Sequence, residues 1–232
     1  RFRQQHIITK QIVKDVIEEY TSIKISDNYN YDEIKVKLNN QVIGQNEAIE
    51  QIISQLKINK PSNQPTAIML FTGSSGVGKS EMAKQLAKYL SRNLIRLDMS
   101  EYKDSSSVQK IIGAAPGYVG YDKPSLLLGQ LQTYPKSIIL LDEIDKACQD
   151  VINLFMQVFD EGYLEDSHKR KVYFNNTIII MTSNQGSTKN KLGFKKNIVD
   201  KKCNYGFSDE LLSRIDEIIN FKNLTKTDLK MI

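Results

Sequence analysis

The stretch AIMLFTGSSGVGKS, residues 67–80, decides the fold of this chain. A short apolar run leads directly into a glycine-rich loop of the pattern G-x-x-x-x-G-K-S, and a helical pattern follows. Glycines let backbone N–H groups curl around phosphate oxygens, and the N-terminus of the following helix points its positive end at them. The stretch therefore predicts a phosphate-binding loop within a strand–loop–helix unit. The loop residues are Gly73, Ser74, Ser75, Gly76, Val77, Gly78, Lys79 and Ser80.

A second apolar strand ends in two acidic residues, IILLDE at residues 138–143. Lys79 is expected to place a positive charge on the β- and γ-phosphates of ATP. Ser80 and Asp142 are expected to hold Mg²⁺, partly through water. Glu143 would polarise the attacking water as a general base. A buried strand capped by two acids is common, but the phosphate loop upstream favours the catalytic interpretation.

Apolar strand-like runs alternate with helical patterns along most of the chain. Such runs separated by helices predict an α/β fold, a parallel five-stranded sheet with helices on both faces. The expected strands are AIMLFT (67–72), NLIRLDM (93–99), SIILLD (137–142), NTIIIMTSN (176–184) and EIINF (217–221). The expected helices cover about 12–20, 49–56, 79–90 and 151–159, with a polar loop, SDNYNYDE, at 26–33.

Asn184 ends the fourth of these strands, which is expected at the edge of the sheet beside the catalytic acids. An Asn at this place can orient the attacking water or sense the γ-phosphate, because nucleotides bind at the carboxyl ends of parallel strands. The alternative interpretation is an ordinary turn former.

Composition indicates a soluble protein, with 40% apolar and 25% charged residues among 232. Two cysteines, Cys148 and Cys203, and two isolated histidines give no metal-ligand spacing, so reduced thiols in a reducing compartment are expected. The excess of Lys, Ile and Asn fits an AT-rich genome and suggests cytoplasm or an organelle stroma, plastid-like in character. The net charge of +5 is spread among acids, and neither a nucleic-acid nor a membrane partner is expected.

From Gln41 to about Leu229 the chain resembles the second ATPase module of the Clp ATPases, the AAA+ unfoldases of the ClpC, ClpA and ClpB kind. The matching stretches are VIGQNEAIE, FTGSSGVGKSE, GYVGYD, SIILLDEIDKA, NLFMQVFDEGYLED, NTIIIMTSNQGS and LLSRIDEII. The resemblance implies a homo-hexameric ring that hydrolyses ATP with Mg²⁺ and threads unfolded proteins through a central pore. It also implies three regions, which are a linker and helix over 1–40, a large ATPase subdomain over 41–222 and a truncated small subdomain over 223–232. The chain is accordingly expected to be a piece of a longer protein.

Further site residues follow from the resemblance alone. Val42 and Ile43 match the apolar patch that packs on adenine, although they would otherwise be taken as core residues. Arg214 matches the arginine finger that reaches the neighbouring subunit's γ-phosphate, and its alternative is a helix-end surface arginine. Ser208 stands where the family usually has an arginine, so a second contact between subunits is in doubt.

The pore is expected to be lined by GYVG at residues 117–120, in which Tyr118 and Val119 would grip the polypeptide. Without the resemblance this segment would be an ordinary Pro-Gly turn. HKRK at 168–171 falls on the family's second, hairpin-borne pore loop.

Leu192, Gly193 and Phe194 form the aliphatic–Gly–aromatic tripeptide with which protease-linked members dock on a ClpP-type peptidase. The resemblance is therefore closer to ClpC and ClpA than to ClpB. Three alternatives stay open, namely a disaggregase without a protease, a nucleic-acid motor, and a ring component that binds ATP only for assembly.

Overall fold

The computed structural model describes residues 29–58, 60, 64–113, 125–185 and 206–230. The chain divides into two compact units, residues 1–31 and 32–232. The first unit contributes only its last three described residues, and the helix expected over 12–20 lies outside the described part.

A five-stranded parallel sheet forms the centre of this unit, as the sequence predicts. The strands are β1 (Ala67–Thr72), β2 (Asn93–Asp98), β3 (Ser137–Asp142), β4 (Tyr163–Glu165), β5 (Lys171–Tyr173), β6 (Ile178–Ser183) and β7 (Glu217–Asn220). The large sheet has the order β2-β3-β6-β1-β7, and β4 pairs with β5 as a separate antiparallel hairpin. All five expected strands are confirmed, but β6 lies inside the sheet rather than at its edge.

The position of β6 follows from its composition. Every residue of β1, β3 and β6 is buried, which requires helices on both faces of the sheet and a neighbour on each side. The edge strand β2 instead exposes Arg96. Register places Thr72 beside Ser183 and Asp98 beside Asp142, so the polar carboxyl ends of these strands share one edge of the sheet.

Seven α-helices are described around these strands. They are α1 (Tyr31–Gln41), α2 (Asn46–Leu56), α3 (Lys79–Tyr89), α4 (Val108–Ile112), α5 (Leu126–Thr133), α6 (Gln149–Glu161) and α7 (Asp209–Leu212). Helices α2, α3 and α6 correspond to expected ones, with α2 and α6 longer than expected. Phe155, Val158 and Phe159 of α6 belong to one buried cluster with the sheet residues Ile139 and Ile179.

Helix α1 corrects one expectation, because residues 31–33 form its first turn rather than the end of a polar loop. Asp32 and Glu33 suit this position because carboxylates stabilise the N-terminal end of a helix dipole. Ile34 and Leu38 lie one turn apart and are buried, which fixes one face of the helix. In the described part of the chain, we find no helix that could span a lipid bilayer.

Candidate functional site

The phosphate loop lies between β1 and α3, where the sequence predicts it. Gly73, Gly76 and Gly78 all have positive φ, and Gly78 is the residue from which α3 begins. A Cβ atom on Gly73 would lie 2.7 Å from the carbonyl oxygen of Phe221, so only glycine fits beside the segment after β7. The loop therefore presents backbone N–H groups and a helix N-terminus to one side, which suits an anion.

Lys79 lies across the inside of this loop. Its Nζ donates hydrogen bonds to the carbonyl oxygens of Gly73 at 2.7 Å and Ser74 at 2.8 Å, and to Asn184 Oδ1 at 3.0 Å. Burial lowers the pKa of Lys79, and the carboxylates of Asp142, Asp145 and Glu143 offset this only in part. The ammonium group is thus held by weak neutral acceptors in a place where an anion would bind it more strongly.

Asp142 is the centre of a hydrogen-bond network at the carboxyl end of β3. Its Oδ1 accepts from Ser80 Oγ at 2.9 Å and from Thr182 Oγ1 at 2.6 Å. Its Oδ2 accepts from Arg96 Nη2 at 2.6 Å. The sequence predicts that Ser80 and Asp142 lie together, but it assigns no role to Thr182 or Arg96.

Glu143 is presented to the cleft by an unusual backbone conformation. Its φ of 57° is in the left-handed region, which is uncommon for a residue with a side chain and occurs often at functional sites. Its N–H donates to Thr182 Oγ1 at 2.9 Å, and its Oε1 accepts from Asn184 Nδ2 at 3.3 Å. Asn184 thus joins the expected general base to Lys79.

These groups line a single cleft of about 450 Å³. Its lining residues are Ser75, Gly76, Gly78, Lys79, Ser80, Glu81, Arg96, Asp98, Asp142, Glu143, Thr182 and Asn184. Among the described residues, no group of three or more His, Cys, Asp and Glu side chains could hold a metal ion by itself. The oxygens of Ser80 and Asp142 nevertheless fit Mg²⁺, which takes few protein ligands and is usually completed by phosphate oxygens and water.

The expected adenine contacts lie beside the loop but do not line this cleft. Val42 is buried and Ile43 half-buried, and a Cβ on Gly78 would lie 3.2 Å from Val42. Gln45 is only 2% exposed, and its Nε2 donates to the carbonyl oxygens of Val77 at 3.1 Å and Lys222 at 2.8 Å. This segment is therefore fixed to the phosphate loop, while contact with adenine stays a prediction.

Arg214 lies apart from the cleft formed by its own chain. Its Nε donates to both carboxylate oxygens of Asp160 on α6, at 2.8 and 2.9 Å, and its Nη1 donates to the carbonyl oxygen of Glu210 at 2.8 Å. Ser208, the departure noted above, caps α7 by accepting from the Leu211 N–H at 3.3 Å. A role of Arg214 in a neighbouring site stays a prediction.

Two groups of expected residues lie outside the described part of the chain. They are the pore residues Tyr118 and Val119 and the docking residues Leu192, Gly193 and Phe194. The hairpin that carries His168 to Lys171 is described, as β4 and β5 with the turn between them.

Comparison with known proteins finds a family match and many relatives. The pattern of the AAA domain (Cdc48 subfamily) matches residues 64–218. The chain is 38% identical over 246 residues to the chaperone protein ClpB of Prochlorococcus marinus, covering 97% of this chain and 28% of that protein. It is 40% identical over 248 residues to the ATP-dependent Clp protease ATP-binding subunit ClpE of Lactococcus lactis, covering 97% and 33%. It is 41% identical over 232 residues to ClpB of Mycoplasma genitalium, covering 94% and 32%. The chain thus spans about a third of the length of these relatives.

Proposed function

The chain belongs to the AAA domain (Cdc48 subfamily) and, with its ClpB and ClpE relatives, to the Clp ATPases, and from this premise we propose that it hydrolyses ATP to unfold and translocate polypeptides. One observation carries the proposal. Lys79, Ser80, Asp142, Glu143 and Asn184 come from three separate elements and converge on one cleft at the carboxyl edge of the sheet.

Each residue has a role that its contacts support. Lys79 exchanges neutral carbonyl partners for phosphate oxygens. Ser80 and Asp142 would hold Mg²⁺, which would neutralise charge on the phosphates. Glu143 accepts the proton of the attacking water, and Asn184 positions the Glu143 carboxylate through their hydrogen bond.

We propose that the working form is a homo-hexameric ring in which Arg214 completes the cleft of the next subunit. The Nε–H of Arg214 is shared between the two carboxylate oxygens of Asp160, which holds the guanidinium in a defined position at the surface, and the arginine side chain is 24% exposed. An arginine so placed can reach a partner without first becoming ordered.

We propose that the translocated polypeptide passes along Tyr118, Val119 and the hairpin tip, residues 168–171. Leu192, Gly193 and Phe194 favour delivery to a ClpP-type peptidase. The relatives include both a chaperone and a protease subunit by name, so a disaggregase without a protease is the second candidate. From the sequence we also propose three regions, residues 1–40, 41–222 and 223–232. The proposed compartment is reducing and plastid-like.

The first experiment measures Mg-ATP hydrolysis per subunit against protein concentration, together with binding of a fluorescent ATP analogue. Turnover should rise with concentration and collapse in Arg214→Ala, while nucleotide affinity is retained. Arg214→Lys keeps the charge but loses the planar fork, and should recover only part of the turnover.

Glu143→Gln is the matched control, since it should bind nucleotide and fail to hydrolyse it at any concentration. Turnover that is independent of concentration and insensitive to Arg214→Ala would contradict the shared site. Absence of nucleotide binding in the wild-type chain would contradict the proposed function itself.

A further inference from the structure

Arg96 lines the nucleotide cleft without a role in the chemistry proposed above. It lies on the edge strand β2, and its Nη2 donates to Asp142 Oδ2 at 2.6 Å. The arginine side chain is 58% exposed, whereas that of Asp142 is 9% exposed. A solvent-exposed cation therefore contacts a buried carboxylate that is expected to bind a metal.

Both carboxylate oxygens of Asp142 are engaged. Oδ1 accepts from Ser80 and from Thr182, which is 1% exposed and cannot leave without burying an unpaired hydroxyl. Oδ2 accepts a hydrogen bond from Arg96 Nη2. Arg96 is 58% exposed and regains water when it leaves Asp142, so its contact is the one that a competing cation can displace at least cost.

The cleft is lined by more acidic than basic side chains. Four carboxylates, those of Glu81, Asp98, Asp142 and Glu143, face two cations, Lys79 and Arg96. Lys79 is engaged with two carbonyls and Asn184. Arg96 is the cation that donates a hydrogen bond to Asp142, whereas Lys79 acts on this carboxylate through its charge.

We propose that Arg96 is an internal counter-ion that competes with Mg²⁺ for Asp142. In the nucleotide-free chain Arg96 compensates the buried charge, and it withdraws into solvent when Mg²⁺ enters with nucleotide. Arg96 thereby sets how strongly nucleotide binding depends on Mg²⁺. This inference rests on the proposed function of the same cleft.

The test measures the affinity for a fluorescent ADP analogue in EDTA and at saturating Mg²⁺. The Mg²⁺ coupling is the affinity with Mg²⁺ divided by the affinity in EDTA. In Arg96→Gln, Mg²⁺ no longer has to displace a cation, and the uncompensated Asp142 repels phosphate when Mg²⁺ is absent. The coupling should therefore rise, by roughly three- to tenfold for loss of one partly exposed charged contact. Arg96→Lys keeps a cation near Asp142 and should give an intermediate rise.

Lys103→Gln is the matched control. Lys103 is an exposed cation that acts on the neighbouring Asp98 without contacting Asp142, so its loss should leave the coupling unchanged. Thermal unfolding without nucleotide checks that each variant is folded. If Arg96→Gln is not folded, the coupling measured for Arg96→Lys decides the test.

The sign of the change decides the outcome. A coupling that is unchanged or lower in Arg96→Gln would overturn the inference, because it would mean that Arg96 binds phosphate rather than competes with Mg²⁺. An equal rise in Lys103→Gln would also overturn it, since the effect would then be general electrostatics. If the wild-type chain binds nucleotide and Arg96→Gln has the same Mg²⁺ coupling, only this inference is rejected. If the wild-type chain does not bind nucleotide, the proposed function is rejected as well.

Discussion

The hydroxyl of Thr182 connects the two acidic residues of the cleft. It donates to Asp142 Oδ1 at 2.6 Å and accepts from the Glu143 N–H at 2.9 Å. The same hydroxyl thus orients the expected metal ligand and satisfies the backbone at the strained position of the expected base. Asn184, two residues after Thr182 and just beyond the end of β6, continues the network from Glu143 to Lys79.

Thr182→Val should therefore destabilise the chain, because the shape is kept but the Glu143 N–H loses its partner. The expected loss is about 1–3 kcal/mol in the free energy of unfolding, measured by urea denaturation. Hydrolysis should fall more than nucleotide affinity, since Glu143 is displaced and the phosphate loop is not. Thr182→Ser retains the hydroxyl and is the control; equal effects of Val and Ser would contradict the role of the hydrogen bonds.

The limits of prediction at this scale are visible in Thr182 and Arg96. Motif spacing and strand ends identify Lys79, Asp142 and Glu143, because these residues belong to contiguous patterns. The contacts of Thr182 and Arg96 depend on β6 and β2 both lying next to β3. A single sequence carries no direct signal of which strands are neighbours.

Helix α2 and the phosphate loop are joined at the scale of elements by Gln45. This residue precedes α2, donates to the Val77 and Lys222 carbonyls and accepts from the Lys222 N–H at 3.0 Å. Three hydrogen bonds from one buried side chain fix the start of the helix to the loop and to the segment after β7.

Gln45→Ala should cost about 2–4 kcal/mol of stability, because it removes these bonds and leaves buried backbone groups unpaired. Nucleotide affinity should fall too, since the loop loses a support. Gln51→Ala, on the exposed face of the same helix, should change stability by less than about 0.5 kcal/mol. Similar unfolding curves for the two variants would contradict the bridging role.

The β4–β5 hairpin depends on Asp166 at its turn. The carboxylate accepts from the His168 N–H at 2.9 Å and from the Arg170 N–H and Nε at 2.8 Å each. Burial alone raises the pKa of Asp166, but the hydrogen bonds from Arg170 and His168 outweigh it and hold the pKa below its ordinary value. The ionised form is therefore the one that orders the basic tip.

Asp166→Asn should lower stability by roughly 1 kcal/mol at neutral pH. A carboxyl group with a lowered pKa stabilises the fold fully when the pH is above its unfolded-state pKa of about 3.9. This stabilisation is lost as the pH falls through the folded-state pKa. The difference between wild type and variant should thus be constant from pH 7 to 5 and shrink below about pH 4. Urea denaturation over this range measures it. A difference that persists unchanged at pH 3 would contradict the assignment.

Elements were predictable to different degrees for physical reasons. The five strands of the large sheet are nearly continuous apolar runs, so their burial is evident from composition alone. The first turn of α1 reads YDE, which favours a polar loop locally, and becomes helical because Ile34 and Leu38 are buried. The order of strands within the sheet depends on tertiary packing, so the sequence wrongly predicts β6 at an edge.

At the scale of the whole molecule, the proposed ring depends on how Arg214 is held before it meets a neighbour. The ion pair with Asp160 joins the segment after α7 to the last turns of α6. Because Glu210 also accepts from the guanidinium through its carbonyl, three oxygens fix its direction. We infer that Asp160 is a positioning residue for the shared site.

Asp160→Asn should therefore reduce concentration-dependent turnover by roughly tenfold, since a catalytic group that is slightly misplaced loses much of its effect. The concentration at half-maximal turnover and the affinity for nucleotide should stay near the wild-type values, because neither the cleft nor its lining is altered. Combining Asp160→Asn with Arg214→Ala should give no further loss, as both changes act through one guanidinium. Faster turnover in Asp160→Asn would show instead that the ion pair restrains Arg214, and the arginine would then have to be released before the ring can hydrolyse ATP.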